Sequence, residues 1–236
     1  MGSMDLSRVS VVVIDDQDVV RGMVRGLLRK LGVSEVTLAG DVPEGLAAIE
    51  AAKAGLVLCD INMPGRNGLE LLRDVRAGVV PAIRRDVPIA MLTGHTDQAI
   101  VGTALALDAH AFIAKPVSAA QLGERINRIF LRPVPIREAA VYRGIEIPDF
   151  RLPTPSGAPL NPGVLLPPPT APLREPAMVQ KDLVAVLPGA VLARDMRGVS
   201  GNLLLAKGQV LTASLLDRLS DLAEFDETIR VVWVRV

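Results

Sequence analysis

An apolar run, Leu56-Val57-Leu58-Cys59, ends in a single carboxylate, Asp60, and is followed by Ile61-Asn62-Met63-Pro64-Gly65. The pattern reads as a buried strand that stops at Asp60 and gives way to a loop. A lone Asp at the carboxyl end of a parallel strand lies where open α/β sheets bind ligands. Taken alone, Asp60 is better explained as a loop residue that caps the next helix. Three companions change the weighting. Val9-Ser10-Val11-Val12-Val13-Ile14 runs into Asp15-Asp16, Ile89-Ala90-Met91-Leu92 into Thr93-Gly94, and His110-Ala111-Phe112-Ile113-Ala114 into Lys115-Pro116. Carboxylates, a hydroxyl and an ammonium are what phosphoryl transfer needs, because it is mostly positioning and charge neutralisation. Clustered carboxylates repel one another unless a cation joins them, and hard oxygen ligands with few protein contacts suit Mg²⁺.

The elements that must position these residues alternate in type. Between the first two strand ends, Asp18 to Leu31 places Val20, Val24, Leu27, Leu28 and Leu31 on one helical face, with Gly32 as its C-cap. Val36 to Ala39 is a short strand, and Asp41 caps a helix running to Lys53. Asn67 opens a third helix with Leu69, Leu72 and Val75 inward; Pro81 is expected to interrupt it near Val80, and Arg84-Arg85 to be a solvated charge pair. Asp97 starts a fourth helix of small residues, Ala99 to Leu107, and Ser118 caps a fifth with Leu122, Ile126 and Ile129 buried. In a parallel sheet, all four chemistry-bearing strand ends fall on one edge.

In order and spacing, Asp15-Asp16, Asp60, Thr93, Phe112 and Lys115-Pro116 resemble the receiver domain of two-component response regulators, over roughly Arg8 to Arg132. The resemblance implies a doubly wound, five-stranded parallel sheet of the flavodoxin-like kind. It implies that Asp60 is the phosphoacceptor, a carboxylate nucleophile that forms an acyl phosphate. Asp16 and Asp60 would bind Mg²⁺ through their side chains and Asn62 through its carbonyl, with Asp15 supporting the metal. Lys115 would pair with Asp60 and then with the phosphoryl oxygen. Thr93 would hydrogen-bond the phosphoryl group, and Phe112 would couple Thr93 to the outer face. Individually, Asp15 also reads as a helix cap, Thr93 as a turn residue and Phe112 as plain core. His95 stands where the family tunes access of water, and otherwise reads as a surface histidine. The family resemblance also suggests a cis Lys115-Pro116 bond.

Composition limits the alternatives. Basic and acidic side chains balance within each segment: 15 and 15 in residues 1–132, four and four in 133–179, seven and seven in 180–236. No segment has the basic excess expected for nucleic acid or for an anionic membrane surface. No stretch approaches the roughly 20 apolar residues of a membrane span. Met1-Gly2-Ser3-Met4 carries no signal sequence and reads as a cloning remnant, so a cytoplasmic location is expected. The single cysteine, Cys59, is expected to be a buried hydrophobe.

Three segments are expected: a receiver at 8–132, a Pro-rich linker at 133–179 and a small α+β module at 180–236. Pro133 to Pro176 holds 12 of the 18 prolines, including Pro167-Pro168-Pro169. Such a stretch should build neither helix nor inner strand and reads as an extended tether, although Ala139 to Ile147 could lie along a domain surface. In the last segment, Asn202 to Ala206 reads as a strand, Gly198 to Gly201 and Lys207-Gly208 as turns, Thr212 as the cap of a helix Ala213 to Leu222, and Ile229 to Val236 as a final strand. Between Leu187 and Leu222, PGAVLARD and GNLLLAKGQVLT resemble the small β-rich segment that accompanies HD-GYP signalling proteins. The catalytic domain of that family needs His-Asp pairs, and the only histidines here, His95 and His110, precede Thr96 and Ala111.

The sequence therefore points to a response regulator that is not an enzyme beyond its own phosphoryl transfer and loss. Its expected partners are a histidine kinase or phosphotransfer protein and an unknown output protein, with a homodimer as a further expectation. The competing classes are a phosphate-independent scaffold that kept the receiver fold and a haloacid-dehalogenase-like phosphatase, which usually carries a second Asp where this chain has Asn62. A transcription factor would need a basic recognition helix, and residues 213–222 carry only Arg218.

Overall fold

In a computed structural model, the described residues are 5–94, 98–147, 178–197, 203–224 and 227–235. Five parallel strands, β1 (Ser10–Ile14), β2 (Glu35–Ala39), β3 (Leu56–Asp60), β4 (Ile89–Thr93) and β5 (Ala111–Ala114), form one sheet in the order β2-β1-β3-β4-β5. Five helices connect and flank them: α1 (Asp18–Lys30), α2 (Val42–Ala51), α3 (Gly68–Ala77), α4 (Gln98–Ala106) and α5 (Ala119–Leu131). The order reverses between β1 and β3, which is the switch point of a doubly wound sheet. The α/β receiver architecture expected from the sequence is the one found.

Local signals account for most boundaries. Strands β1, β3 and β4 are apolar and nearly all buried because helices cover both faces. The Asp41 carboxylate accepts from the Glu44 amide at the start of α2, and Asn67 and Glu70 form a reciprocal capping box at α3. Ser118 caps α5 as expected. Three local expectations fail. Helix α3 ends at Ala77, where Gly78 takes φ 69°, so a left-handed glycine stops it before Pro81 is reached. Helix α2 ends at Ala51, with Lys53 at φ 45° outside it. Arg85 is not a solvated partner of Arg84; its Nε donates to the Arg76 carbonyl at 2.6 Å and its terminal nitrogen to the Arg137 carbonyl at 2.6 Å. Arg84 does stay exposed, paired with Asp86.

The segment after α5 is more than a tether. A short helix, α6 (Ala139–Arg143), forms in the proline-free stretch of it and lies against α3. Tyr142 is fully buried, and its hydroxyl donates to the Asp108 carboxylate at 2.8 Å and accepts from the Arg137 amide at 2.7 Å. The stretch Ala139 to Ile147, set apart from its proline-rich surroundings in the sequence, thus lies along the receiver. Residues 148–177, which contain the triple proline, lie outside the described residues, as do the expected turn Gly198 to Gly201 and residues His95, Thr96 and Asp97.

The C-terminal region pairs β6 (Met178–Asp182) antiparallel with β9 (Val231–Arg235), and β7 (Met196–Arg197) with β8 (Leu203–Leu205). Helix α7 (Ala213–Leu222) starts at its Thr212 cap, and Leu215, Leu216, Leu219 and Leu222 are buried, as the spacing requires. The last strand begins at Val231, because Glu227–Arg230 form a 3₁₀ turn with Ile229 buried in it.

A buried cation organises the floor of the receiver. Arg76 is fully buried and donates to the carbonyls of Val87 (3.0 Å) and Asp108 (3.3 Å) and to Nδ1 of His110 (3.1 Å). The Ile89 amide also points at that Nδ1. Two donors on one ring nitrogen make it the acceptor, so the imidazole is neutral with its proton on Nε2. Burial first, then the Arg76 charge, pushes His110 down to about 3. Between about pH 6.5 and 3 the unfolded chain thus takes up a proton that the folded chain refuses. Stability should fall as pH drops through this window, with a slope from this group approaching about 1.4 kcal/mol per pH unit. Chemical denaturation of wild type and His110→Gln between pH 7 and 5 checks this: the slope should be shallower in the variant, and equal slopes would refute it.

Candidate functional site

Three strand ends converge at the carboxyl edge of the sheet. The apolar β1 delivers Asp15, which is fully buried, and Asp16, which is exposed; β3 delivers Asp60, 4% exposed. Lys115 follows β5 and its Nζ lies 2.6 Å from Asp15 and 2.9 Å from Asp60. Carboxylate oxygens of Asp15, Asp16 and Asp60 all lie within 4.8 Å of one another. Three carboxylates and one ammonium leave a formal charge of −2, which a divalent cation would cancel. The donor set is all oxygen and one member faces solvent, which fits Mg²⁺ with some of its water retained.

The electrostatics follow from burial and crowding. Burial raises Asp60 above the usual carboxylate range and Asp15 adds to the rise, while the Lys115 hydrogen bond opposes it. Burial works against the charge on Lys115, but its hydrogen bonds to Asp15 and Asp60 outweigh that and raise it overall. Cys59 is fully buried beside Asp60, and burial pushes its thiol far up, so it is an inert core residue.

The remaining expected residues surround this cluster. Asp60 pairs with Leu92 across β3 and β4, which sets Thr93 one residue beyond. Thr93 is buried, its hydroxyl donates to the Gly94 carbonyl at 3.0 Å, and its own carbonyl accepts from the Lys115 amide at 2.7 Å. The peptide bond Lys115-Pro116 is cis, as anticipated. Asn62 is exposed in the loop after β3, and its amide hydrogen-bonds Asp60. Phe112 is fully buried on β5, opposite Met91 of β4. Asp15, Asp16, Asp60 and Lys115 thus form one cluster, Thr93 and Asn62 flank it, and Phe112 lies within the sheet two residues before Ala114.

Two contributors were missed from the sequence. Arg21, one turn into α1, donates to the Asp15 carbonyl and to the Asp18 carboxylate, tying the helix start to the β1 end. Gly68 opens α3 directly against the phosphoacceptor candidate: a Cβ there would sit 2.1 Å from the Asp60 carbonyl oxygen and 3.1 Å from Cys59 Sγ. Its position just after the N-cap Asn67 gave no hint, because glycine is ordinary there; the constraint comes from the strand, not the helix. Gly68→Ala should therefore displace the Asp60 backbone or α3. The expected result is a destabilisation of about 1–3 kcal/mol with weakened Mg²⁺ binding, read by denaturation and by metal titration. A variant that matches wild type in both would show that the contact is soft.

Residues 11–127 match the family model described as "Response regulator receiver domain". The sensory transduction protein RegX3 of Mycolicibacterium smegmatis is 32% identical over 136 residues, which take in 58% of this chain and 57% of that protein. The chemotaxis protein CheY-3 of Vibrio cholerae is 32% identical over 127 residues, covering 52% of this chain and 93% of that protein. Among solved structures, that of the chemotaxis response regulator CheY4 of Vibrio cholerae is 30% identical, with a TM-score of 0.46, and the match covers 51% of this chain and 98% of that one. The chain accordingly spans nearly all of CheY-3 and little more than half of RegX3. On the strength of the near-complete match to CheY-3, the chain belongs to the response regulators of two-component signalling, through a receiver domain at its N-terminal half.

Proposed function

We propose that this response regulator accepts a phosphoryl group on Asp60 from a histidine kinase or phosphotransfer protein and signals through protein–protein contact. The observation that carries this is the cluster in which Lys115 bridges Asp15 and Asp60 beside an exposed Asp16. In the transfer, an Asp60 oxygen bonds to phosphorus as the phosphorus–nitrogen bond to the donor imidazole breaks, and the leaving imidazole nitrogen takes up a proton. Asp16 and Asp60 would hold Mg²⁺ with the Asn62 carbonyl, and Asp15 would support it. The ion would supply the charge neutralisation that one ammonium leaves incomplete. Lys115 holds the nucleophile in place beforehand and is positioned to meet the incoming anion. Thr93 exchanges its bond to Gly94 for one to the phosphoryl group.

The threefold division, with 8–132, 133–179 and 180–236 as receiver, linker and module, remains our proposal, as does the likeness of Leu187 to Leu222 to the segment that accompanies HD-GYP proteins. We also propose a cytoplasmic location. Among the described residues, no helix is long and apolar enough to cross a membrane. Balanced charge in all three segments disfavours nucleic acid and membrane surfaces as partners.

Small-molecule phosphodonor labelling read by intact mass tests the acceptor. Wild type should gain one phosphoryl mass in the presence of Mg²⁺, and Asp60→Asn should not. Asp16→Ala should lose Mg²⁺-dependent labelling while keeping the fold. Lys115→Ala should still be labelled but lose the shift response at Thr93 and Phe112. Labelling of Asp60→Asn equal to wild type would move the acceptor elsewhere, and a wild type that is never labelled would favour the phosphate-independent scaffold.

A further inference from the structure

The end of α4, the stretch after α5, strand β8 and the start of α7 surround a cavity of about 350 Å³ that opens to solvent. Leu105, Val134, Leu204 and Leu215 line it and are buried. Three of them, Leu105, Leu204 and Leu215, belong to the apolar core that runs on from the receiver into the C-terminal region. Ala206 and Val210 lie at its exposed rim. The walls are held from both sides. Arg128 and Arg132 of α5 pair with Asp221 and Asp217 of α7 at 2.6 and 2.7 Å, and Tyr142 and Arg137 bond Asp108 at 2.8 and 2.9 Å. Three charged side chains line the cavity, Asp108, Arg137 and Arg218, with a formal sum of +1. Arg218 is only 6% exposed, yet it is poorly partnered. Its Nη1 lies 3.4 Å from the Asp108 carboxylate and 3.3 Å from the Ala109 carbonyl, and its Nε has no partner among the described residues. Burial lowers Arg218 below its ordinary value although Asp108 opposes the fall. A buried cation needs a charge partner and full hydrogen bonding, and Asp108 is already shared with Arg137 and Tyr142. Thr212 and Ser214, at the N-terminus of α7, line the same cavity, and that end of a helix favours negative charge.

We propose that this cavity binds a small aliphatic monoanion, with its acidic group against Arg218 and its hydrocarbon body against Val134, Leu204 and Leu215. The inference is independent of the role of Asp60. A mostly apolar lining with a few convergent polar groups, at the junction of two parts of a chain, is the usual make-up of a small-molecule site. Charge selects the class. One negative charge cancels the formal sum of the lining, whereas a dianion such as phosphate would carry an uncompensated charge against apolar walls. A basic ligand would be repelled. Size selects the body. A cavity of about 150 Å³ holds benzene, so this one suits roughly 10–15 non-hydrogen atoms. A proline-rich peptide is the wrong shape of ligand, because grooves for polyproline are lined by aromatic rings. Among the described residues, no aromatic side chain lines this cavity.

The test titrates the full chain with octanoate, and with octan-1-ol as its uncharged counterpart, followed by calorimetry and by methyl chemical shifts. Octanoate should saturate wild type with a Kd below about 1 mM and should shift the methyls of Val134, Leu204 and Leu215. Octan-1-ol should bind about ten-fold more weakly or worse, because it forgoes the charged hydrogen bond. Ala206→Trp, at the exposed rim, should weaken octanoate by a similar factor, because the indole fills the mouth. Arg218→Met should bring octanoate down to the level of octan-1-ol. If that buried substitution does not fold, the ratio of the two probes on wild type decides the charge, and Ala206→Trp decides the place. Absence of saturable octanoate binding at millimolar concentration overturns the site. Shifts confined to other methyls, or full affinity in Ala206→Trp, overturn its location. Equal affinity for octanoate and octan-1-ol overturns the anionic class.

Discussion

Everything at the carboxyl edge of the sheet depends on one ammonium. Lys115 reaches two buried or nearly buried carboxylates at once, and without it Asp15 and Asp60 would face each other as like charges in a poorly hydrated corner. The sheet exists to make that meeting possible. Parallel strands put β1, β3 and β5 ends on one side, and the reversal of strand order next to β1 opens the crevice into which they project. The ammonium compensates the charge incompletely. The same geometry that stabilises the cluster therefore leaves a net negative charge that a divalent cation would cancel.

This protein was legible where hydrophobic pattern and chemistry coincide. Strands β1, β3 and β4 are β-branched or aliphatic runs that end abruptly in Asp or Thr, so one observation gave both the element and the residue at its tip. Caps at Asp41, Asn67, Ser118 and Thr212 were equally plain, because a side-chain acceptor at a helix start has a short, local signature. What stayed hidden was long-range. A buried Arg76, with its cage of carbonyls and His110, runs against the rule that arginine stays outside, and its acceptors are spread from residue 85 to 110. Arg85 read as solvated charge, and nothing singled out the α5 arginines, because their partners lie up to about a hundred residues away. The stretch around Tyr142 stood out from its proline-rich neighbours, but its partner Asp108, more than thirty residues away, did not.

The two halves share an apolar core and are joined besides by a set of charge pairs. Within the receiver, the core is aliphatic on both faces of the sheet. Within the C-terminal region, the leucines of α7 are buried beside the short strands. Between them, one apolar cluster runs on from Leu105 and Phe112 into the leucines of α7, and guanidinium and carboxylate groups border it, with Asp108 as a second centre that also gathers Arg137 and Tyr142 from the intervening segment. Apolar burial is non-directional and tolerates sliding, whereas the charge pairs and the hydrogen bond from the Phe112 amide to Asp221 specify one register. The receiver also gains protection from this arrangement, since its exposed edge strand is closed to pairing with another chain.

The pairing of β6 with β9 has a consequence for how the protein is made. The strand that opens the C-terminal region is completed only by residues 231–235, the last of those described, and α7 lies in the sequence between the two. During synthesis the receiver can fold as soon as its own strands have emerged, because domains generally fold as units from the N-terminus onward. The region that covers β5 cannot close until some fifty further residues have followed β6. For that interval every newly made molecule presents an uncovered sheet edge, a row of arginines on α5 and a complete acidic pocket. The nascent chain is thus briefly a receiver without its cover, at about 5–20 residues per second a window of a few seconds, in which the β5 edge is open to contacts that the finished molecule covers.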